Sequence, residues 1–209
     1  MVGRLIETPD CVAEGAAWLC DNDPYMSEAY GMTGPLPLRR NPDGFAQLLS
    51  AIVSQQVSVA SANAIWGRLE KAGMLKEEAV RASSEEALRE LGLSRQKARY
   101  SKALADAQID YPALRTEPTE VVIETLTQVT GIGVWTAEIY AMFSLGRADV
   151  FAPGDLALQE AVRLLYELEE RPKERALRQM AERWSPWRGV AARLLWAYYH
   201  VEKKREGIK

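Results

Sequence analysis

The stretch Val129-Thr130-Gly131-Ile132-Gly133-Val134-Trp135-Thr136-Ala137 decides how this chain is read. Upstream, Val121, Val122, Leu126 and Val129 recur at helical spacing, and downstream Ala137, Tyr140, Ala141 and Leu145 do the same. The middle is therefore a tight turn between two helices. Gly131 is placed to take a positive φ after the first helix, where a side chain would be strained. Gly133 lets the backbone come close to whatever lies outside. The amides of Ile132, Gly133 and Val134 are expected to point outward at the start of the second helix, where bare N–H groups attract a phosphate oxygen.

This turn resembles the helix-hairpin-helix motif of DNA-binding proteins, whose loop grips the DNA backbone without reading sequence. The contact set that the resemblance implies runs over Thr130, Gly131, Ile132, Gly133, Val134 and Thr136. A cation could lie at the loop, but no metal is essential. The competing reading is an αα-hairpin that binds nothing.

Composition narrows the classes. A chain of 209 residues can bury a substantial core, as one domain or two closely packed lobes. Its two cysteines, Cys11 and Cys20, are too few for a structural zinc site or an iron–sulfur cluster, and they fit a reducing cytoplasm. Arg4 is soon followed by Glu7, Pro9 and Asp10, so the start does not read as a signal peptide. The most apolar stretch, from Val190 to Val201, is broken by Arg193 and too short to span a membrane. A net charge of −3 and a pI of about 5.4 argue against coating DNA by bulk electrostatics. Any DNA-binding groups must gather on one face.

Every strong periodicity is helical and no strand stands out, so the fold class is all-α. Thr8-Pro9-Asp10 opens a first helix ending near Asp21. Residues 22–41, rich in turn residues, read as a long ordered connector. Asn41-Pro42 starts the next helix, with Phe45, Leu48, Leu49, Ile52 and Val53 on one side. After a turn at Ser54-Gln55-Gln56-Val57-Ser58, a helix runs through Ala62, Ile65, Trp66 and Leu69. Ser83-Ser84-Glu85-Glu86 has the form of a capping box, and Gly92 closes the short helix it opens. Ser94 caps a helix over 95–108, and Pro118-Thr119 begins the hairpin. Helices over about 155–169, 172–184 and 186–203 finish the chain, and Glu202-Lys203-Lys204-Arg205-Glu206 reads as a fraying tail.

The chemistry is expected in Asp149-Val150-Phe151-Ala152-Pro153-Gly154-Asp155, directly before a helix that Asp155 caps. A helix N-terminus favours negative charge. Capping alone would explain an Asp here, at about 1 kcal/mol. Position 158 is Leu, so there is no capping box. One helix and one loop separate Gly133 from Asp155, so both can face one ligand.

Together, Gly131-Ile132-Gly133-Val134-Trp135-Thr136-Ala137 and the loop ending in Asp155 resemble the helix-hairpin-helix (HhH-GPD) DNA glycosylases, which carry a Gly/Pro-rich loop and an essential Asp. The chain is similar to their 3-methyladenine DNA glycosylase II, or alkyl-base, branch. Trp-Thr-Ala after the hairpin, Gln56-Val57-Ser58 in an early turn and the segment Ala181-Glu182-Arg183-Trp184-Ser185-Pro186-Trp187-Arg188 carry that likeness, which runs from about Asn41 to Val201.

The resemblance implies a monofunctional enzyme that excises alkylated bases from damaged duplex DNA in base excision repair, without a cofactor. It assigns the catalytic role to Asp155. Bifunctional relatives place a lysine nucleophile at position 135, where this chain has Trp135, so no lyase step is expected. The base pocket is assigned to Trp135 and Trp196, with Tyr140 a substitute for a family tyrosine that falls on Ile139. Gln55 and Gln56 mark the turn that fills the gap left by a flipped nucleotide, and Gln56 stands where one relative has Leu. Ser58, Ser94 and Lys97, with Arg95 and Lys102 beside them, are candidates for phosphate contact. Trp184, Trp187 and His200 read as packing or surface residues.

The expected architecture is a single glycosylase unit over 1–209 in two lobes with a central cleft holding Asp155 and Trp135. Lobe one covers about 40–143, including the hairpin at 119–145; lobe two joins 1–39 to 144–209. About 40 residues precede the core, where some relatives carry a β-rich domain. A monomer acting on the bacterial nucleoid, or in a nucleus, follows from the resemblance. The rivals are a non-enzymatic helix-hairpin-helix DNA-binding module and a helical protein–protein adaptor.

Overall fold

The computed structural model describes residues 2–206, with side chains as far as Lys204. Among these residues the protein is helical, and one isolated bridge, Leu5 to Arg147, is the only β pairing. The all-α expectation holds. No helix among them is long and apolar enough to cross a membrane.

Helix α1 (Pro9–Asn22) starts as its sequence dictates, with Thr8 as N-cap and Pro9 in the first turn. The connector expected over 22–41 holds only in its second half: Pro24–Thr33 forms a second helix, α2, and residues 34–41 follow without helix. Asn22-Asp23-Pro24 reads as turn chemistry but works as a helix start. Asp23 caps, with Oδ1 accepting the Tyr25 N–H at 3.0 Å, and Pro24 occupies a position that needs no donor. Helix α3 (Phe45–Ser54) begins later than Asn41-Pro42, because Gly44 takes φ 101° and serves as N-cap.

Then follow α4 (Val59–Lys71), α5 (Glu77–Ala82), α6 (Glu85–Glu90), α7 (Arg95–Asp106) and α8 (Tyr111–Leu114). The short α5 and α8 were not anticipated, since one or two turns give periodicity little to act on. The cap of α6 is Ser84, which leaves Ala87 rather than Glu86 at the third position, so the expected capping box is absent. The hairpin is α9 (Thr119–Thr127) and α10 (Val134–Phe143). After α11 (Leu156–Leu165) and α12 (Glu174–Met180), a 3-10 turn (Ala181–Trp184) leads to α13 (Arg188–Glu206). The residues read as a fraying tail are thus helical to Glu206, and the last three residues lie outside those described.

The chain divides into two compact units, Asn41–Tyr140 and Val2–Arg40 with Ala141 onward. In the first, α3, α5 and α6 pack on α7 and α4 packs on α3, burying Leu48, Leu49, Ile52, Leu69, Val80, Leu88 and Leu104. In the second, α13 packs on α1, α2 and α11 around Leu19, Met26, Leu158, Val162, Leu194 and Leu195. Gly15 permits the approach of α1: a Cβ there would stand 2.7 Å from Trp187 and Val190. Buried Asp23 completes this core by accepting from the Tyr166 hydroxyl and from Trp184 Nε1, at 3.2 Å. Trp184 and Trp187 are core residues, as read, and His200 is exposed.

Candidate active site

In the first unit the hairpin turn has the geometry its glycines demand. Gly131 takes φ 101°, and a Cβ on it would lie 2.3 Å from Cγ of Tyr100, so only glycine fits. Gly133 has open space around it, and Thr130, Gly133 and Val134 are exposed. The Gly133 carbonyl accepts from Ala137 N, so Val134 opens α10. The N–H groups of a first helical turn have no carbonyl of their own helix to reach. Ile132 departs from expectation: its N–H donates to Val129 O at 3.0 Å and its side chain is buried. It closes the turn instead of presenting an amide. Thr136 is likewise buried, one position too far into α10 to face outward.

The turn between α3 and α4 stands beside this loop. Gln55 Nε2 donates to Gly131 O at 3.1 Å, and the adjoining Gln56 is exposed with φ 53°. Ser58 is the N-cap of α4, accepting from Ser61 N at 3.2 Å, and Ser94 caps α7 through Lys97 N at 3.2 Å. Gln55, Gln56, Ser94 and Lys97 line one hollow of about 360 Å³ with Gln96 and Tyr100.

Lys97 is not the phosphate contact its charge suggests. It is 8% exposed, and Nζ donates to Val53 O at 2.7 Å, in the last turn of α3; burial lowers its pKa. Lys102 is also engaged, with Nζ donating to Arg81 O at 2.5 Å. Arg95 and Arg99 are the exposed cations here and line a surface hollow with Gln96, Tyr100 and Thr130.

Trp135 sits in the first turn of α10, 46% exposed. Tyr140 does not suit the pocket role given to it. Its ring is buried, its hydroxyl accepts the Gly44 N–H at 2.7 Å, and burial pushes its pKa up to about 12. It secures the entry to α3, offering no face to a base.

In the second unit, Asp155 is the N-cap of α11. Oδ1 accepts from Ala157 N at 2.9 Å and Leu158 N at 3.0 Å. A third donor, Trp196 Nε1 on α13, reaches the same oxygen at 3.3 Å. Trp196 is half-buried and its ring lies 5.8 Å from that of Phe143. The family resemblance gave Asp155 the catalytic role and Trp196 a place in the base pocket; their direct bond, across 41 residues, has no signature in spacing.

The loop before Asp155 is held at several points. Asp149 accepts from Arg188 Nε at 2.6 Å and from Ser185 Oγ at 2.8 Å. Gly189 N donates to Ala148 O at 2.7 Å, buried Gln159 donates Nε2 to Pro153 O at 2.8 Å, and Asp155 N reaches Ala152 O at 3.0 Å. Arg188 and Gln159 were missed by the sequence reading. Gln159, four positions after the cap and on the inner side of α11, was the available signal. Among the described residues no group of three or more His, Cys, Asp or Glu is placed to hold a metal ion.

A carboxylate fixed by three N–H donors at the mouth of a helix can stabilise developing positive charge without having to reorganise. A two-glycine turn between helices can hold a phosphate. The turn between α9 and α10 has the form of a helix-hairpin-helix element. Residues 49–186, more than half of the chain, match the family described as HhH-GPD superfamily base excision DNA repair protein, and the chain belongs to that family.

Among its relatives, DNA-3-methyladenine glycosylase 1 of Schizosaccharomyces pombe is 33% identical over 161 residues, covering 73% of this chain and 71% of the relative. DNA-3-methyladenine glycosylase 2 of Escherichia coli is 30% identical over 168 residues, 74% of this chain and 57% of that longer protein. The crystal structure of a DNA-3-methyladenine glycosidase from Bacillus halodurans superposes with TM-score 0.82 at 32% identity, over 96% of this chain and 94% of the other.

Proposed function

We propose that the protein is a DNA glycosylase of base excision repair that removes alkylated, 3-methyladenine-type bases from duplex DNA by hydrolysing the N-glycosidic bond. Family membership and the names of the relatives support the activity. The observation that carries the chemistry is the Asp155 carboxylate, held on Oδ1 by Ala157 N, Leu158 N and Trp196 Nε1.

The hairpin turn, with exposed Thr130, Gly133 and Val134, takes the backbone of the duplex. The damaged nucleotide leaves the stack, because its glycosidic bond is out of reach inside the duplex. Gln56 enters the vacated space and can hydrogen-bond the orphaned partner base. The extruded base is electron-poor and cationic, and the exposed face of Trp135 suits it through stacking and cation–π attraction. As the bond from C1′ to the base nitrogen breaks, its electron pair leaves with the base and positive charge grows on the sugar. Asp155 stabilises that charge and orients a water to add at C1′; the water's oxygen bonds to C1′ and its proton passes to the Asp155 carboxylate and from there to bulk water. An alkylated purine already carries positive charge, so its departure needs little acid catalysis.

The test is base release from methylated duplex DNA. Asp155→Asn is expected to lower the release of 3-methyladenine and 7-methylguanine by 100-fold or more while DNA binding survives, on the scale of losing one electrostatic stabiliser. Near wild-type rates in that variant would overturn the reading.

The enzyme is further proposed to be monofunctional and to act as a monomer. Position 135 carries an indole, which has no amine to form a Schiff base. Borohydride treatment of enzyme mixed with abasic DNA is expected to trap no covalent adduct; a trapped adduct refutes the monofunctional part alone.

A further inference from the structure

Two turns of the first unit meet DNA in the proposed function, and one side chain ties them together. The turn over 54–58 presents Gln56, which is exposed at φ 53°. A left-handed conformation costs a non-glycine residue about 1–2 kcal/mol and persists only where its surroundings fix it. Gln55 supplies one fixed point, donating Nε2 to Gly131 O at 3.1 Å. Gly131 takes φ 101° with Tyr100 filling the space where a Cβ would stand, a backbone conformation that only glycine takes readily. Lys97 supplies a second point through its bond to Val53 O, just before the turn. Gln55 was expected to contact DNA, but its amide already holds the carbonyl of the hairpin.

We propose that Gln55 is a positioning residue: its amide registers the Gln56 turn on the hairpin, so that the grip on the backbone sets where Gln56 enters the duplex. This rests on the glycosylase reading. The bond is directional and single. Leucine keeps most of the volume and loses the donor, whereas glutamate keeps the shape and turns an oxygen toward the Gly131 carbonyl, which repels it.

The experiment uses the full chain carrying Q55L, Q55E, Q56A and the Q55L/Q56A pair. Single-turnover release of 7-methylguanine is measured, together with the fluorescence of 2-aminopurine placed beside an uncleavable abasic analogue, which reports unstacking. Q55L is expected to slow release about tenfold at saturating enzyme, to keep duplex affinity within about twofold and to lose the fluorescence rise as Q56A does. Q55E is expected to be at least as slow. The double variant is expected to be no slower than Q56A by more than about twofold, since Gln55 acts only through Gln56.

A wild-type release rate or a wild-type fluorescence rise in Q55L overturns the proposal. So do losses that multiply in the double variant, the result of a merely structural role. Should Q55L fail to fold, Q55M, which also lacks a donor, takes its place under the same criteria. If the wild-type chain unstacks 2-aminopurine but releases no base, the excision reading fails alone, because the fluorescence comparison needs no cleavage.

Discussion

Trp196 shows what a single residue can add to a site. Its half-buried ring lies 5.8 Å from that of Phe143, and its N–H fixes Asp155 from a helix that Asp155 does not cap. Trp196→Phe keeps an aromatic face and removes that donor. Base release is expected to slow roughly tenfold, about 1.4 kcal/mol of barrier, with KM little changed; single-turnover rates against DNA concentration measure both. At this scale the sequence was partly legible. Asp155 as a cap followed from an Asp directly before an apolar-periodic helix. The bond to Trp196 did not, because tertiary proximity over 41 residues leaves no trace in spacing. Tyr140 was misplaced for a related reason. Its neighbour matched a family position, but one step along a helix turns a side chain by about 100°, and Tyr140 faces inward to Gly44.

For elements, α7 is the instructive case. Arg95, Lys97, Arg99 and Lys102 made it look like a cationic face, yet Lys97, Ser101, Leu104 and Ala105 share its buried side. Position 97 falls on that stripe at i, i+4, i+7 and i+8, a signal available in the sequence that its charge obscured. Lys97→Met leaves the Val53 carbonyl without its donor and is expected to cost about 1–3 kcal/mol at neutral pH. Because burial lowers the folded-state pKa, the unfolded chain holds more protons between that value and about 10.4. Stability from this group therefore rises with pH through that window. Urea melts of both proteins should show the gap between wild type and variant widening as the pH approaches 10; a gap that narrows contradicts the assignment. The same scale explains α2, whose start was legible as Asn-Asp-Pro but pointed equally to a turn. Asp23 settles it by capping Tyr25 N and receiving Tyr166 and Trp184, contacts made by distant parts of the chain.

The whole molecule follows a pattern in which long amphipathic helices and the two-glycine turn were readable, whereas one-turn helices and the contacts that close a site were not. Family likeness placed the loop before Asp155; the polar ties that hold it, through Arg188, Ser185 and Gln159, had to be seen. The left-handed residue in the turn after α3 has a consequence for the protein as an object of selection. Replacing Gln56 with glycine relieves the backbone and is expected to raise the melting temperature by roughly 1–4 °C, for 0.5–1 kcal/mol in a chain of this size. The same change deletes the side chain that would probe the helix, and excision should slow at least tenfold. A population chosen only for endurance to heat would drift toward the sturdier, idle form. With the role proposed for Gln56, the glutamine at that bend trades robustness of the fold for work on the duplex.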